Sequence, residues 1–123
     1  MEKIFKNIYT DLVSSKNRNS DPLKNFLFSS MTNTVLIFYL ASKKKATLEE
    51  LCHNIPPKVI SRSTIQNILK EGTKILFFEK ELNPSDKRAK YYKLSSEGKK
   101  TLEDWALNQK NNFSELNNSS KAA

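Results

Sequence analysis

The 123-residue sequence predicts one mainly α-helical domain with a small β-hairpin, an α+β fold. Three observations predict it: apolar residues recur at helical spacing in several segments, two capping-box patterns mark helix starts, and two strand-like runs flank a turn-forming segment. The hydrophobic fraction of 37% and the charged fraction of 28% are typical of a small soluble protein with a single core. We therefore expect one domain with short tails.

The first predicted helix spans Glu2 to Ser15, and the next polar segment, residues 14–22, reads as a linker that ends at a proline. The apolar residues of this helix share one face: Ile4, Phe5, Ile8, Tyr9, Leu12 and Val13. A second helix, Ser29 to Ser42, is apolar almost all round, which places it in the centre of the core. A β-strand is the alternative there, because short apolar runs are ambiguous.

A charged connector, residues 43–46, leads into a short helix with a capping box at its start. The Thr47 hydroxyl meets a backbone amide of the first turn, and the Glu50 side chain reaches back. This helix ends near Ile55, because the two prolines at 56–57 cannot continue it.

The next helix begins in the stretch Ser61 to Gln66, where Ser63 and Gln66 form a second capping-box pattern. Its buried stripe consists of three apolar residues: Ile65, Ile68 and Leu69. Gly72 is one of two glycines in the chain, and we expect it to cap the end of this helix, with a place inside a longer helix as the alternative.

Two strand-like runs follow, Ile75 to Leu82 and Ala89 to Leu94. The segment between them, Asn-Pro-Ser-Asp-Lys-Arg at 83–88, is rich in residues that favour turns, so we predict a hairpin with a polar, basic tip. A last helix begins at Ser95 or Ser96. Its stripe falls at helical spacing: Leu102, Trp105, Ala106, Gln109 and Phe113.

The two terminal helices are expected to form a dimer interface. Neither helix can bury its apolar face against so small a domain, which favours a symmetric homodimer. Packing of the two helices against each other within one chain is the alternative. The predicted organisation is a dimerisation helix at 1–15, the main domain with its last helix at 29–110, and a flexible Asn- and Ser-rich tail at 111–123.

Basic charge is concentrated in the middle of the chain. Fourteen basic and seven acidic residues lie between Lys43 and Lys100, so this window accounts for +7 of the net charge of +8. A localised excess of cations is what binding to a polyanion requires, because each neutralised phosphate releases counterions. A solvated surface is the alternative reading of the same composition.

The element order helix, turn, helix, hairpin, helix is typical of a winged helix-turn-helix, whose second paired helix lies in the major groove of DNA. A helix that reads bases needs short polar groups and cations along its start and exposed faces. Residues 61–71 supply them: Ser61, Arg62, Ser63, Thr64, Gln66, Asn67 and Lys70. The hairpin tip, residues 83–90, adds the cations Lys87, Arg88 and Lys90.

Two motifs resemble the MarR family of bacterial regulators over Thr47 to Lys100. Asp86-Lys87-Arg88 is similar to the D-x-R motif of the family's wing, and Leu94-Ser95-Ser96-Glu97-Gly98 is similar to the L-T-x-x-G entry into its next helix. The resemblance implies a homodimer that binds a pseudo-palindromic operator and represses or activates nearby genes. It also implies that Arg88 enters the minor groove, that Asp86 braces it, and that the 61–70 helix reads bases.

Composition argues against catalytic, metal-binding and membrane roles. Cys52 and His53 are the only cysteine and histidine, so neither a nucleophile–base pair nor a histidine-rich metal site can be assembled, and we expect no cofactor. Cys52 is expected to be packed and inert. The longest apolar run, Val35 to Ala41, is too short for a bilayer, and the N-terminus lacks a signal-peptide core, so we expect a cytoplasmic, nucleoid-associated protein.

We therefore predict a transcriptional regulator that binds double-stranded DNA. Two alternatives stay open: a winged-helix module for replication or RNA binding, and a protein-interaction module without nucleic acid. Binding of a small-molecule effector is a further open possibility, because five aromatic residues could line a pocket: Phe26, Phe28, Phe38, Tyr39 and Trp105. Packing in the hydrophobic core is the simpler explanation of these residues.

Overall fold

The computed structural model describes residues 1–16 and 21–122 of the chain. Helices and strands follow one another in this order: α1 (Glu2–Ser15), α2 (Pro22–Leu27), α3 (Met31–Lys43), β1 (Lys45–Thr47), α4 (Leu48–Asn54), α5 (Arg62–Lys74), β2 (Phe78–Glu81), β3 (Tyr91–Leu94) and α6 (Ser96–Ala122). The mainly helical architecture with a small antiparallel sheet confirms the predicted fold class. No helix in the described part of the chain is long and apolar enough to cross a lipid bilayer.

Side-chain caps set the starts of α4 and α5. The Thr47 hydroxyl accepts a hydrogen bond from the Glu50 amide at 3.1 Å, as the capping pattern predicts. The predicted cap at Ser63 is wrong, because the cap of α5 is Ser61, whose hydroxyl accepts from the Thr64 amide at 3.3 Å. The backbone at Ser61 is extended and already helical one residue later, so Ser63 lies inside the first turn.

The sheet has three strands rather than the two of the predicted hairpin. The segment expected to be a charged connector, residues 43–46, contributes the first two residues of β1, which pairs antiparallel with β3; the strand order is β1-β3-β2. The hairpin strands are also shorter than the predicted 75–82 and 89–94. A three-residue edge strand has no periodicity of its own and forms only because β3 offers a hydrogen-bonding edge.

Gly72 lies inside α5, so its predicted role as a helix C-cap is wrong. A Cβ at this position would overlap the ring of Phe78 and lie 2.9 Å from Cζ of Phe26. The absence of a side chain therefore lets the sheet pack directly on α5. The backbone with positive φ after the helix is found at the exposed Leu76, where φ is 67°.

The core lies between α3, α5 and the sheet. α3 is a helix, as favoured over the strand alternative, and its Leu36, Ile37 and Leu40 are fully buried. Three rings pack at centroid distances of 5.2 to 5.6 Å; they belong to Phe26 of α2, to Phe77 just before β2, and to Phe78, the first residue of β2. The short helix α2 lies in a segment to which the sequence assigned no element; Pro22 occupies its first turn and Asp21 caps it.

α1 has the predicted bounds and packs against α6 of the same chain. Asn7 Nδ2 donates to Asn112 Oδ1 at 3.1 Å, and Lys3 pairs with Glu115 at 3.4 Å. The alternative of packing within one chain is thus realised, yet much of the apolar stripe of α1 stays exposed.

The chain remains helical to Ala122, which includes most of the segment that the sequence predicts as a flexible tail, 111–123. Residue 123 lies outside the described residues, as do residues 17–20 of the predicted linker. The division of the chain into a dimerisation helix, main domain and tail stays a prediction.

Candidate nucleic-acid interface

The predicted reading helix, α5, presents its polar residues to solvent. Ile65, Ile68 and Leu69 are buried against the core. The opposite faces expose nearly all predicted contact residues: Ser61, Arg62, Ser63, Gln66, Asn67 and Lys70, with Thr64 half-buried. A helix with this division of faces can lie against a ligand without disturbing the core.

The hydroxyl groups at the start of α5 bind one another. Ser61 Oγ donates to Thr64 Oγ1 at 2.9 Å and lies 3.3 Å from Ser63 Oγ. These three hydroxyl groups therefore order the helix end, and the other exposed polar side chains of α5, Arg62, Gln66 and Asn67, are the stronger candidates for base contacts.

Arg62 is bound to Glu49, which lies in the first turn of α4. The guanidinium and the carboxylate form two hydrogen bonds, one of them from Nη1 to Oε2 at 3.2 Å. Hydrogen bonding to Arg62 lowers the pKa of Glu49, and the same bond raises the pKa of Arg62. Sequence reasoning missed Glu49, since its pairing with Arg62 depends on how α4 and α5 cross.

The wing tip is ordered by two Asx turns. Asn83 Oδ1 accepts from the Ser85 amide at 3.0 Å, and Asp86 Oδ1 accepts from the Arg88 amide at 2.9 Å. Asp86 thus holds the main chain at Arg88, while the Lys87 and Arg88 side chains stay exposed and Lys90 is half-buried.

A cleft between α5 and the sheet contains candidate residues that sequence reasoning missed. We call it the α5–sheet cleft: Leu48, Gln66, Leu69, Lys70, Thr73, Lys74, Lys80 and Tyr92. The Lys80 ammonium lies 5.8 Å from the ring centre of Tyr92. The sequence does place Lys74 one helical turn after Lys70, so its position on the same face of α5 could have been predicted. Lys80 comes close to these lysines only because β2 packs against α5.

Cys52 is half-buried beside the core, and His53 is exposed. Among the described residues there is no group of three or more His, Cys, Asp or Glu side chains that could hold a metal ion.

Two solved structures share this architecture. AdcR, the adhesin competence repressor from Streptococcus pyogenes, is 17% identical, with a TM-score of 0.55 over 98% of this chain and 80% of that chain. ZitR from Lactococcus lactis, solved as a C30S mutant, is 13% identical, with a TM-score of 0.51 over 99% of this chain and 83% of that chain. The fold is a winged helix. No protein-family model and no curated protein sequence matches the chain.

Proposed function

We propose that this protein is a MarR-like transcriptional regulator that binds double-stranded DNA sequence-specifically and has no enzymatic activity of its own. The observation that carries the proposal is the pair of exposed cationic elements on a winged-helix frame. Lys70 on α5 and Lys87, Arg88 and Lys90 of the wing make no ion pair with any acid among the described residues. Such a protein works in the cytoplasm, associated with the nucleoid.

Each element has a distinct role in this proposal. α5 enters the major groove, where Gln66 and Asn67 suit adenine and Arg62 suits guanine. The wing places Arg88 at the adjacent minor groove, on a turn whose backbone Asp86 holds in place. Lysines around both elements neutralise phosphates and supply affinity that is independent of sequence.

The wing arginine gives the direct test of DNA binding. Fluorescence anisotropy with an AT-rich random duplex is expected to show affinity that falls steeply with salt, and Arg88→Ala is expected to reduce the slope of log K against log salt by about 1. Lys110→Ala, an exposed lysine on the part of α6 near α1, is the matched control and should leave the slope unchanged.

No binding at low salt by a folded wild-type protein would contradict the proposal. Equal or tighter binding to structured RNA would favour the RNA-binding alternative.

The exposed stripe of α1 supports the homodimer. Phe5, Tyr9 and Val13 are 59%, 68% and 54% exposed, and Phe113 on the neighbouring α6 is 45% exposed. A helix already packed on its own chain through other residues leaves this face for a second copy, as the predicted dimerisation helix at 1–15 requires.

Tyr9→Lys is expected to convert the dimer to a monomer at micromolar concentration, because it places a charge in the middle of the apolar interface. Sedimentation equilibrium measures the mass, with Thr10→Lys, off the stripe on the same helix, as the control. A wild type that is already monomeric, or a Tyr9 variant that stays dimeric, would contradict the proposed interface.

A further inference from the structure

The two faces of the sheet differ in how their charges are paired. Residues on one strand alternate between faces, so Lys45, Glu79, Glu81 and Lys93 share one face. On this face Lys45 pairs with Glu81 at 2.9 Å, and Lys93 lies 3.6 Å from Glu79 and 3.5 Å from Glu81. The Glu81 carboxylate, held by Lys45, has a lowered pKa. We call it the acid-paired face; its cations are already neutralised.

The other face of the sheet carries a cation, Lys80, and no acidic residue. Lys80 lies directly opposite Tyr92 in the register, and both line the α5–sheet cleft. No acidic residue lines this cleft, and its three lysines make no ion pair within the described residues: Lys70, Lys74 and Lys80. Three lysines without acidic partners thus lie together between α5 and β2.

The three lysines of the cleft repel one another. Lys70 and Lys74 lie four residues apart on α5, and like charges at that spacing destabilise a helix. Lys80 adds a third positive charge from the sheet, held near Tyr92 by a cation–π contact at 5.8 Å. A polyanion in the cleft would convert this repulsion into attraction.

The geometry of DNA supplies the polyanion. A sugar–phosphate backbone separates the major groove from the adjacent minor groove. If α5 lies in one groove and the wing tip in the next, that backbone must pass between α5 and the β2–β3 hairpin. The cleft lies between those same two elements, and this step rests on the proposed function.

We propose that the α5–sheet cleft binds the phosphodiester backbone between the two grooves, with Lys74 and Lys80 as phosphate contacts beside Lys70. Tyr92 positions the Lys80 ammonium and makes no base contact. These contacts add affinity for any DNA sequence and fix how far α5 enters the groove.

The test compares two double variants of equal charge. Lys74→Gln/Lys80→Gln removes two cations from the cleft, and Lys45→Gln/Lys93→Gln removes two from the acid-paired face. Anisotropy over a salt series with random-sequence duplexes is expected to show the slope of log K against log salt reduced by about 2 for the cleft variant. The loss in affinity should be uniform across duplex sequences. The acid-paired variant should change the slope by less than half as much.

Lys80→Arg should retain the wild-type slope, since it keeps the charge at the same place, and thermal unfolding should confirm that all variants remain folded. Equal losses in the two double variants would overturn the proposal and assign the effect to net charge alone. An unchanged slope in the cleft variant would overturn it outright. A folded wild type that binds no duplex would instead contradict DNA binding itself, and the cleft proposal with it.

Discussion

Gly98→Ala is expected to destabilise the protein by about 3 kcal/mol, the upper end of the usual cost of overpacking a core. A glycine-to-alanine change inside a helix ordinarily stabilises by about 0.5–1 kcal/mol, so the expected sign is reversed here. The reason is contact: a Cβ at Gly98 would overlap the carbonyl oxygen of Phe77 and lie 3.0 Å from Cδ1 of the same residue. Gly98 is itself buried in the first turn of α6.

Phe77 cannot move aside to relieve the overlap. Its side chain is fully buried between the rings of Phe26 and Phe78, and its carbonyl oxygen accepts the Ser95 amide at 2.9 Å. Ser95 also joins the two segments through its hydroxyl, which donates to the Leu76 carbonyl at 2.6 Å and accepts the Gly98 amide at 2.9 Å. The start of α6 is therefore bound rigidly to the turn between α5 and β2.

Urea denaturation of the wild type and Gly98→Ala measures the effect as a lower midpoint at unchanged m. Lys100→Ala, at an exposed position two residues further along α6, is the control and should stay within about 0.5 kcal/mol of wild type. A Gly98 variant as stable as the wild type would show that the overlap is relieved at no cost.

Arg62→Ala is expected to reduce affinity for a duplex selected from a random library by about 10- to 100-fold, the worth of one bidentate base contact. Its affinity for unselected duplexes should fall much less, because phosphates supply that binding. The structure places the guanidinium at the start of α5, exposed and held in one orientation by Glu49. Competition anisotropy between selected and unselected duplexes measures the ratio.

Glu49→Gln is expected to have the opposite effect on unselected DNA. The bond from Arg62 lowers the pKa of Glu49, which favours the charged carboxylate, and that charge would repel the phosphates of a DNA duplex bound against α5. Removing the charge should raise affinity for every duplex and, by freeing Arg62, reduce discrimination between sequences. Glu115→Gln, an exposed acid on α6 paired with Lys3, is the control.

Unchanged selectivity in Arg62→Ala would contradict a role of this residue in reading bases. Weaker binding to unselected DNA in Glu49→Gln would show that the carboxylate assists DNA contact rather than opposing it.

Local chemistry in the sequence was enough to predict every helix of the described chain except α2. The bounds of α1 follow from its apolar spacing, the start of α4 from the Thr47 and Glu50 pattern, and the turn at 83–88 from its Asn, Pro and Asp residues. The exposed polar face of α5 could also be predicted, because Ile65, Ile68 and Leu69 leave only one way to bury that helix. Each of these signals acts over a few residues and needs no distant partner.

Tertiary structure alone decided the features that join distant segments. β1 exists because it pairs with the edge of β3; Ala46 lies opposite Tyr92, which is 46 residues further along the chain. A glycine is needed at position 72 inside α5 because the rings of Phe26 and Phe78 occupy the space of a side chain. The Glu49–Arg62 pair and the approach of Lys80 to α5 arise in the same way. Strand pairing, ring packing and charge pairing depend on residues that are close only after folding, so periodicity along the chain does not encode them.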